Sequence, residues 1–397
     1  MNTDFLIIGA GIIGIAIART LRKQHNVTIL VIDKEPAQAK HASGRNSGVI
    51  HAGVYYGAGS LKARLCVEGN RLLREFCHEK SIQINESGKV IIARDEGDLP
   101  GLEELYKRST VNGVNISWLD EQELASVEPF AVTHNKALLV KDTAVVDPVE
   151  VTTAMYQEAK NEGINFIFDC SWQGKSEKDV QTTQGKISYG HLINCAGTYA
   201  DKIAHQYDVG HDYHILPFRG NYYLLNPELC QDIRGNIYPV PDLRNPFLGV
   251  HFTKRPDGNV IVGPTALPLM GREQYADFKT ANTEDMLRMG KFLMNLIKSN
   301  KDHFRSVVLS EIVKATKIGF FQEAKRLVKR LSISDLKTGR NPGIRAQLID
   351  INSMSLINDF LVLNGNSSTH ILNAVSPAFT CSLSFSEYVV SNLKLGG

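Results

Sequence analysis

The chain has 397 residues, 43% of them hydrophobic, with 44 basic and 42 acidic side chains. That length is enough for a sizeable core and for two domains, and a net charge of +2 argues against the global field that nucleic acid selects. The six cysteines are widely spaced and form no CxxC pair, so neither a disulfide nor a zinc framework is expected, and a reducing compartment is.

Residues 4–8 (DFLII) read as a short buried strand, 12–24 as a helix, and VTILVID, ending at Asp33, as a second buried strand. The apolar start does not match a signal peptide, because Asp4 stands where basic residues belong and glycines interrupt the run. It is also too short to span a bilayer, and no later run is longer. Between the strand and the helix lies Gly9-Ala10-Gly11-Ile12-Ile13-Gly14, a GxGxxG turn answered by Asp33 about twenty residues on. In this pattern Gly9 makes the tight turn, Gly11 admits a pyrophosphate to the helix N-terminus, and Gly14 lets helix and strand approach. Asp33 would accept hydrogen bonds from ribose hydroxyls, and an acid there argues against a 2′-phosphate. A glycine turn with no ligand is the weaker alternative.

The fingerprint does not choose between NAD and FAD. The next segment, HASGRNSGVIHAGVYY (41–56), does. If it folds back along a dinucleotide, Ser43, Asn46 and Ser47 reach phosphate and ribityl oxygens, Arg45 balances charge, and Gly44 and Gly48 permit close backbone approach. Lys34, beside Asp33, and Val49, beside Gly48, complete these expected contacts. A long, buried FAD needs such a second arm more than a released nicotinamide does.

Beyond residue 80 the pattern changes to strands and turns (INESGKVIIARDEGDL), then helical stretches near 96–112 and 120–127. A helix begins at DPVEVTTAMYQEAKNEG, followed by the strands INFIFDCSW and HLINCAG. FRGNYYLLN is a strand, FLGVHFTKRPDGNVIVG a hairpin around Pro-Asp-Gly, and a basic helical stretch runs to about residue 334. Strand, glycine turn and a closing helix finish the chain. The expected fold is α/β: a Rossmann-like dinucleotide domain from 1–80, 142–205 and 335–397, with an inserted α+β, mixed-sheet substrate domain from 81–141 and 206–334.

Several blocks together carry a family resemblance: SGRNSGVIHAGVYY, GSLKARLCVEGN (59–70), PFRGNYY (217–223), PFLGVHFTKRPDG (246–258), NPGIRAQ (341–347) and NAVSPAFT (373–380). The chain resembles the FAD-dependent D-amino-acid-oxidase-like superfamily and, within it, the L-2-hydroxyglutarate oxidase/dehydrogenase group. The resemblance implies oxidation of L-2-hydroxyglutarate to 2-oxoglutarate, with hydride transfer from C2 to flavin N5. It also implies that Trp172 lies near the adenine, that Ala196 and Gly197 close on the cofactor, and that Ser376 and Pro377 open the last helix towards the flavin.

Oxidation of an α-hydroxy acid needs a base for the hydroxyl proton, a task suited to histidine. Of twelve histidines, His51 and His251 stand out. In LGVHFT, alternation puts Leu248, Val250 and Phe252 on one face and Gly249, His251 and Thr253 on the other. Pattern alone favours an exposed hairpin position for His251; the resemblance favours the site. Which histidine is the base stays open. For a dicarboxylate, Arg345 in GIRAQ leads and Arg219 in PFRGN follows, because a guanidinium binds a carboxylate through two parallel hydrogen bonds. A structural salt bridge is the alternative for Arg219. Tyr56 and Lys62 are weaker candidates for the second carboxylate, with a solvated lysine the blander reading. After GIRAQ a turn in LIDINSMSLINDF falls to Asn352 and Ser353.

No metal is expected. Oxygen, a quinone or a soluble carrier are all compatible as electron acceptor. The expected location is cytoplasmic, with a peripheral place on the inner face of a membrane through the basic stretch 314–330 as the sharper alternative to a helix packed on its own domain. Other superfamily substrates (an amino acid, glycerol 3-phosphate or another hydroxy acid), a non-catalytic flavoprotein and an NAD-dependent dehydrogenase are the competing readings.

Overall fold

The computed structural model describes residues 1–176, 179–243, 247–275, 282–339 and 341–394. The remaining residues, Pro246 of the PFLGVHFTKRPDG block among them, lie outside the description. The chain divides into two compact units: Met1–Asn46 with Pro148–Pro217 and Arg345–Gly397, and Ser47–Asp147 with Phe218–Ile344. The first crossing thus falls within the 41–56 segment rather than near residue 80, and the helix Leu61–Glu79 belongs to the second unit.

In the first unit the strand Asn2–Ile8 pairs in parallel with Ile29–Ile32 on one side and Gly185–Asn194 on the other. Asn165–Ile167 and Ser368–Asn373 extend this parallel core outward. Parallel strands covered on both faces carry continuous apolar runs, and ILVI at 29–32 is buried throughout. Leu6, Ile8, Leu30, Ile32 and Leu192 share one hydrophobic cluster. Ile7 points the other way, at the helix Ile12–Gln24, whose Gly14 would bring a Cβ within 3.4 Å of the Ile7 side chain. The strand–turn–helix expected from the opening residues is present over the same helical residues.

The second unit is built on an eight-stranded mixed sheet. Its order is Leu336–Lys337, Tyr223–Leu225, Val260–Gly263, His251–Lys254, Asn236–Pro239, Lys89–Ile92, Lys136–Val140, Ile116–Asp120. All the neighbouring pairs with a described register are antiparallel except Asn236–Pro239 beside Lys89–Ile92. Side chains alternate across a sheet, and two cores result. Val90, Ile92, Ile237, Phe252 and Val262 pack on one face. Ile91, Leu138, Val140 and Tyr238 pack on the other with Ala52 and Val54. A three-stranded sheet, Val49–Ile50, Ala144–Val146 and Ile84–Asn85, leads the chain into this second core.

Three expectations are corrected. The last helix runs Ser382–Ser391, so Ser376 and Pro377 lie in the turns before it instead of opening it. The stretch 314–330 is not one amphipathic helix. It holds the helix Lys317–Lys325, and Phe320, Leu327 and Val328 are buried in the unit's own core. Part of its charge is also paired within the protein, as Arg326 with Asp95 at 2.7 Å. Lys62 is 5% exposed, so the solvated reading does not hold for it.

Candidate active site

The first unit forms its glycine cradle because other residues would not fit there. A Cβ on Gly9 would meet the Cys195 carbonyl oxygen at 2.4 Å, and Gly9 has a φ of +109°, which favours glycine. A Cβ on Gly14 would stand 2.0 Å from the Gly9 oxygen. Gly11 precedes the helix Ile12–Gln24 and offers no side-chain cap. Ser43 supplies one instead, its Oγ accepting from the Ile12 N–H at 2.9 Å. Asp33 Oδ2 accepts from the Ala10 N–H at 2.7 Å and Oδ1 from the Glu35 N–H at 2.9 Å. Burial raises the Asp33 pKa, against these hydrogen bonds and the nearby positive groups. Its carboxylate therefore braces the turn itself, a structural role beside any role towards a ribose.

Around this cradle, Asn46 donates to the Ala42 and Ser43 carbonyls at 3.0 and 2.9 Å, and Arg45 Nε donates to the Lys40 carbonyl at 2.7 Å. Lys34 joins Glu35 and His41, with Lys34 Nζ 3.0 Å from His41 Nε2. Cys195, Ala196 and Gly197 pass beside Gly9, the Cys195 N–H bonding the Ile8 carbonyl at 2.9 Å. Cys170 is tied to the Asp33 carbonyl at 2.8 Å, and Trp172 begins the strand just beyond it. The Trp172 Nε1–H is buried with no hydrogen-bond partner among the described residues. A buried indole N–H without an acceptor is costly, and a polar ligand would supply one. The cradle closed to any Cβ and this unmet donor fit a bound dinucleotide.

Ser47, Gly48, Val49, His51 and Tyr56 belong to the second unit. Gly48 accepts from the Val146 N–H at 2.9 Å, and Val49 pairs with Val145. Asn70 anchors the backbone just beyond this pairing: its side-chain amide donates to the carbonyls of His51 at 3.1 Å and Asp142 at 2.8 Å. Asn112 likewise holds the Gly53 and Tyr56 carbonyls. The Tyr56 ring lies 6.0 Å from Lys62 Nζ.

His251 is 4% exposed, which overturns the exposed-hairpin reading. Its ring stacks on Tyr238, with centroids 3.8 Å apart and planes at 17°. Nδ1 lies 2.8 Å from the Gly249 carbonyl. A carbonyl only accepts, so Nδ1 carries the proton and Nε2 keeps its lone pair. Burial lowers the His251 pKa to about 3, the Gly249 bond opposing and the Lys89 charge adding. His51 is likewise lowered to about 3, by burial first and then by Lys89 and His251. Both imidazoles are therefore neutral near pH 7.

Lys89 and Tyr238 lie outside the blocks that carry the family resemblance, whereas Tyr55 and Asn70 lie inside two of them without being named as candidates. Lys89 had a signal: in Lys89-Val90-Ile91-Ile92 it alternates onto the same face as buried Ile91. Tyr238 had none, since its meeting with Tyr55 depends on the sheet order.

Arg219 Nε is buried without a partner and Nη1 reaches the Gln274 carbonyl at 3.5 Å. It forms no ion pair among the described residues, contrary to the salt-bridge alternative. Arg345, in the first unit, donates through Nε to Gln347 Oε1 at 3.1 Å. Gln347 is held in turn by the Ile357 carbonyl at 2.8 Å. The following turn includes Asn352 and Ser353, whose N–H groups both bond Asp350 Oδ1, at 2.8 and 3.3 Å.

Comparison with known proteins agrees with this geometry. Residues 4–321 match the family described as FAD dependent oxidoreductase (DAO). The chain is 35% identical to the mitochondrial L-2-hydroxyglutarate dehydrogenase of Homo sapiens, over 98% of this chain and 88% of that protein. It is also 35% identical to the L-2-hydroxyglutarate dehydrogenase of Escherichia coli (strain K12), over 98% and 93%. The FAD-bound L-alpha-glycerophosphate oxidase of Mycoplasma pneumoniae has the same fold, with a TM-score of 0.76 at 23% identity over 98% of this chain and 94% of that one. The glycine cradle, the fold and the full-length matches lead to one conclusion: this chain is a member of the FAD dependent oxidoreductase family.

Proposed function

We propose that the protein oxidises L-2-hydroxyglutarate to 2-oxoglutarate, the first unit binding FAD and the second the hydroxy acid. One observation carries the reading beyond the relatives' names. His251 is buried and neutral, with its tautomer set so that Nε2 can take a proton. The substrate must lose a hydride from C2 and a proton from its hydroxyl. FAD, when bound, supplies the hydride acceptor. His251 Nε2 accepts the hydroxyl proton, and His51 is the alternative base. Arg345 and Arg219 bind carboxylate oxygens, with Tyr56 as a further contact. In the first unit Gly9, Gly11, Gly14, Asp33, Lys34, Ser43, Arg45, Asn46, Trp172, Ala196, Gly197, Ser376 and Pro377 serve the cofactor, as do Ser47, Gly48 and Val49 in the second. Electrons then pass to oxygen, a quinone or a soluble carrier.

The test is anaerobic mixing of the yellow holoenzyme with a panel of acids. L-2-hydroxyglutarate should bleach the flavin, while amino acids and glycerol 3-phosphate should not. Bleaching by one of those instead would replace the substrate, and no bleaching by any would favour a non-catalytic flavoprotein.

A second reading adds contact with an anionic membrane surface, through a set of residues that shares Ile318 with the stretch the sequence suggested and otherwise lies before it. Leu287, Met294, Leu309, Ile312, Val313 and Ile318 are all more than half exposed on the helices Thr283–Ser299, Phe304–Lys314 and Lys317–Lys325. Lys291 and Lys298 are exposed along the same stripe as Leu287 and Met294. Apolar side chains flanked by lysines suit a headgroup boundary. No described helix is long and apolar enough to cross a membrane.

A further inference from the structure

We propose that Lys89 is an anion-binding residue of the active site, taking a carboxylate of the hydroxy acid on the ammonium held between Tyr55 and Tyr238. The inference rests on the substrate reading above and names a residue that reading does not use.

Lys89 starts the strand Lys89–Ile92 in the middle of the second unit's large sheet. Its side chain points into the core and is 1% exposed. Nζ lies 4.5 Å from the Tyr55 ring centroid and 5.1 Å from that of Tyr238. It has no hydrogen-bond partner among the described residues. Each aromatic face stabilises a desolvated cation by about 2 kcal/mol or more. Removing an ammonium from water costs at least several kcal/mol, and an ammonium has three donors to satisfy. The rings leave those donors unmet; an anion would meet them.

The surroundings point the same way. The Tyr55 hydroxyl is also buried without a hydrogen-bond partner among the described residues, and the buried Tyr238 and Thr253 hydroxyls have only each other close by. Three hydroxyls and an ammonium in one region, all able to donate, are the complement of a carboxylate. The titratable groups facing Lys89 are His51 and Tyr55 from the segment after Val49–Ile50, Cys66 from the helix Leu61–Glu79, and Tyr238 and His251 from neighbouring strands. None is a carboxylate. Burial alone pushes the Lys89 pKa down to about 7, with Cys66 opposing. A bound carboxylate would raise it again, so ligand binding near or above pH 7 should take up a proton. Neutralising Lys89 would also relieve the positive charge that depresses the basicity of His251, so the proposed base would strengthen once substrate is seated.

The experiment uses the FAD-loaded protein and glutarate, which has both carboxylates but no hydroxyl to oxidise. Binding is measured by calorimetry from about pH 6 to about pH 8.5 in buffers of different ionisation enthalpy. Wild-type affinity should fall towards about tenfold per pH unit above the lysine pKa, with uptake of up to about one proton. Lys89→Met should bind on the order of 10- to 100-fold more weakly, with no proton uptake, and Lys89→Arg should recover part of the affinity. Wild-type affinity that ignores pH, without proton uptake, would overturn the inference whether or not the variants fold. Unchanged glutarate affinity in a folded Lys89→Met protein would do the same, while bleaching of the wild type by L-2-hydroxyglutarate would leave the substrate reading intact. A wild type that neither binds glutarate nor is bleached would remove both.

Discussion

His251, the base proposed above, shows how neighbours set the state of a single side chain. Stacking on Tyr238 fixes the ring, the Gly249 carbonyl fixes the proton, and burial keeps the imidazole neutral. Because the folded pKa lies at about 3, below the usual histidine value, the neutral form persists through the whole neutral range. The rate of flavin reduction should therefore show no acid limb near pH 6.5 from this group. Replacing His251 with Asn should slow flavin reduction by roughly two to four decades while FAD stays bound. Stopped-flow absorbance at saturating substrate measures it. A wild-type rate in His251→Asn, with a slow rate in His51→Asn, would move the base to the other histidine. The sequence proposed both residues, but the tautomer depends on a carbonyl two positions away whose aim only the fold sets.

The glycine-turn helix is the element proposed above to hold the cofactor. Gly14 has no room for a Cβ, since the atom would stand 2.0 Å from the Gly9 oxygen. Gly14→Ala should force helix and strand apart at a cost of about 1–3 kcal/mol and lower the flavin content. Gly174→Ala, where a Cβ meets nothing within 4 Å, is the control and should behave like wild type. Urea midpoints and the ratio of flavin to protein absorbance report both effects; equal midpoints for the two variants would show that the helix shifts at no cost. This element was legible in advance because its code is local: alternating constraints on a strand, a turn and a helix within about thirty residues. The last helix was harder to place. Its sequence start is ambiguous, and Ser376 to Thr380 take up turns before Ser382 begins the helix.

At the scale of the whole molecule, the exposed apolar side chains at 287–318 bear on where the enzyme works. If they rest on lipid, the protein should co-sediment with anionic vesicles at low salt and less so at high salt, since each basic residue near the surface contributes about 1 kcal/mol that screening removes. Leu309→Ser with Ile312→Ser should reduce sedimentation without changing flavin content. Equal recovery with neutral and anionic vesicles, or none with either, would remove the charge-assisted membrane reading.

The sequence by itself determined the dinucleotide turn, the order of its strand and helix, the family resemblance and the short list of chemically competent residues. Each of these is written within a short span or in residue type. Tertiary structure alone decided that His251 is buried, that Phe320, Leu327 and Val328 face the unit's own core, and that Arg219 lacks an ion pair among the described residues. It also brought Lys89, Tyr55 and Tyr238 together from three separate segments. Alternation along a strand tells which residues share a face, but not what covers that face. The covering depends on the order of strands in the sheet, a long-range pairing that no local pattern encodes.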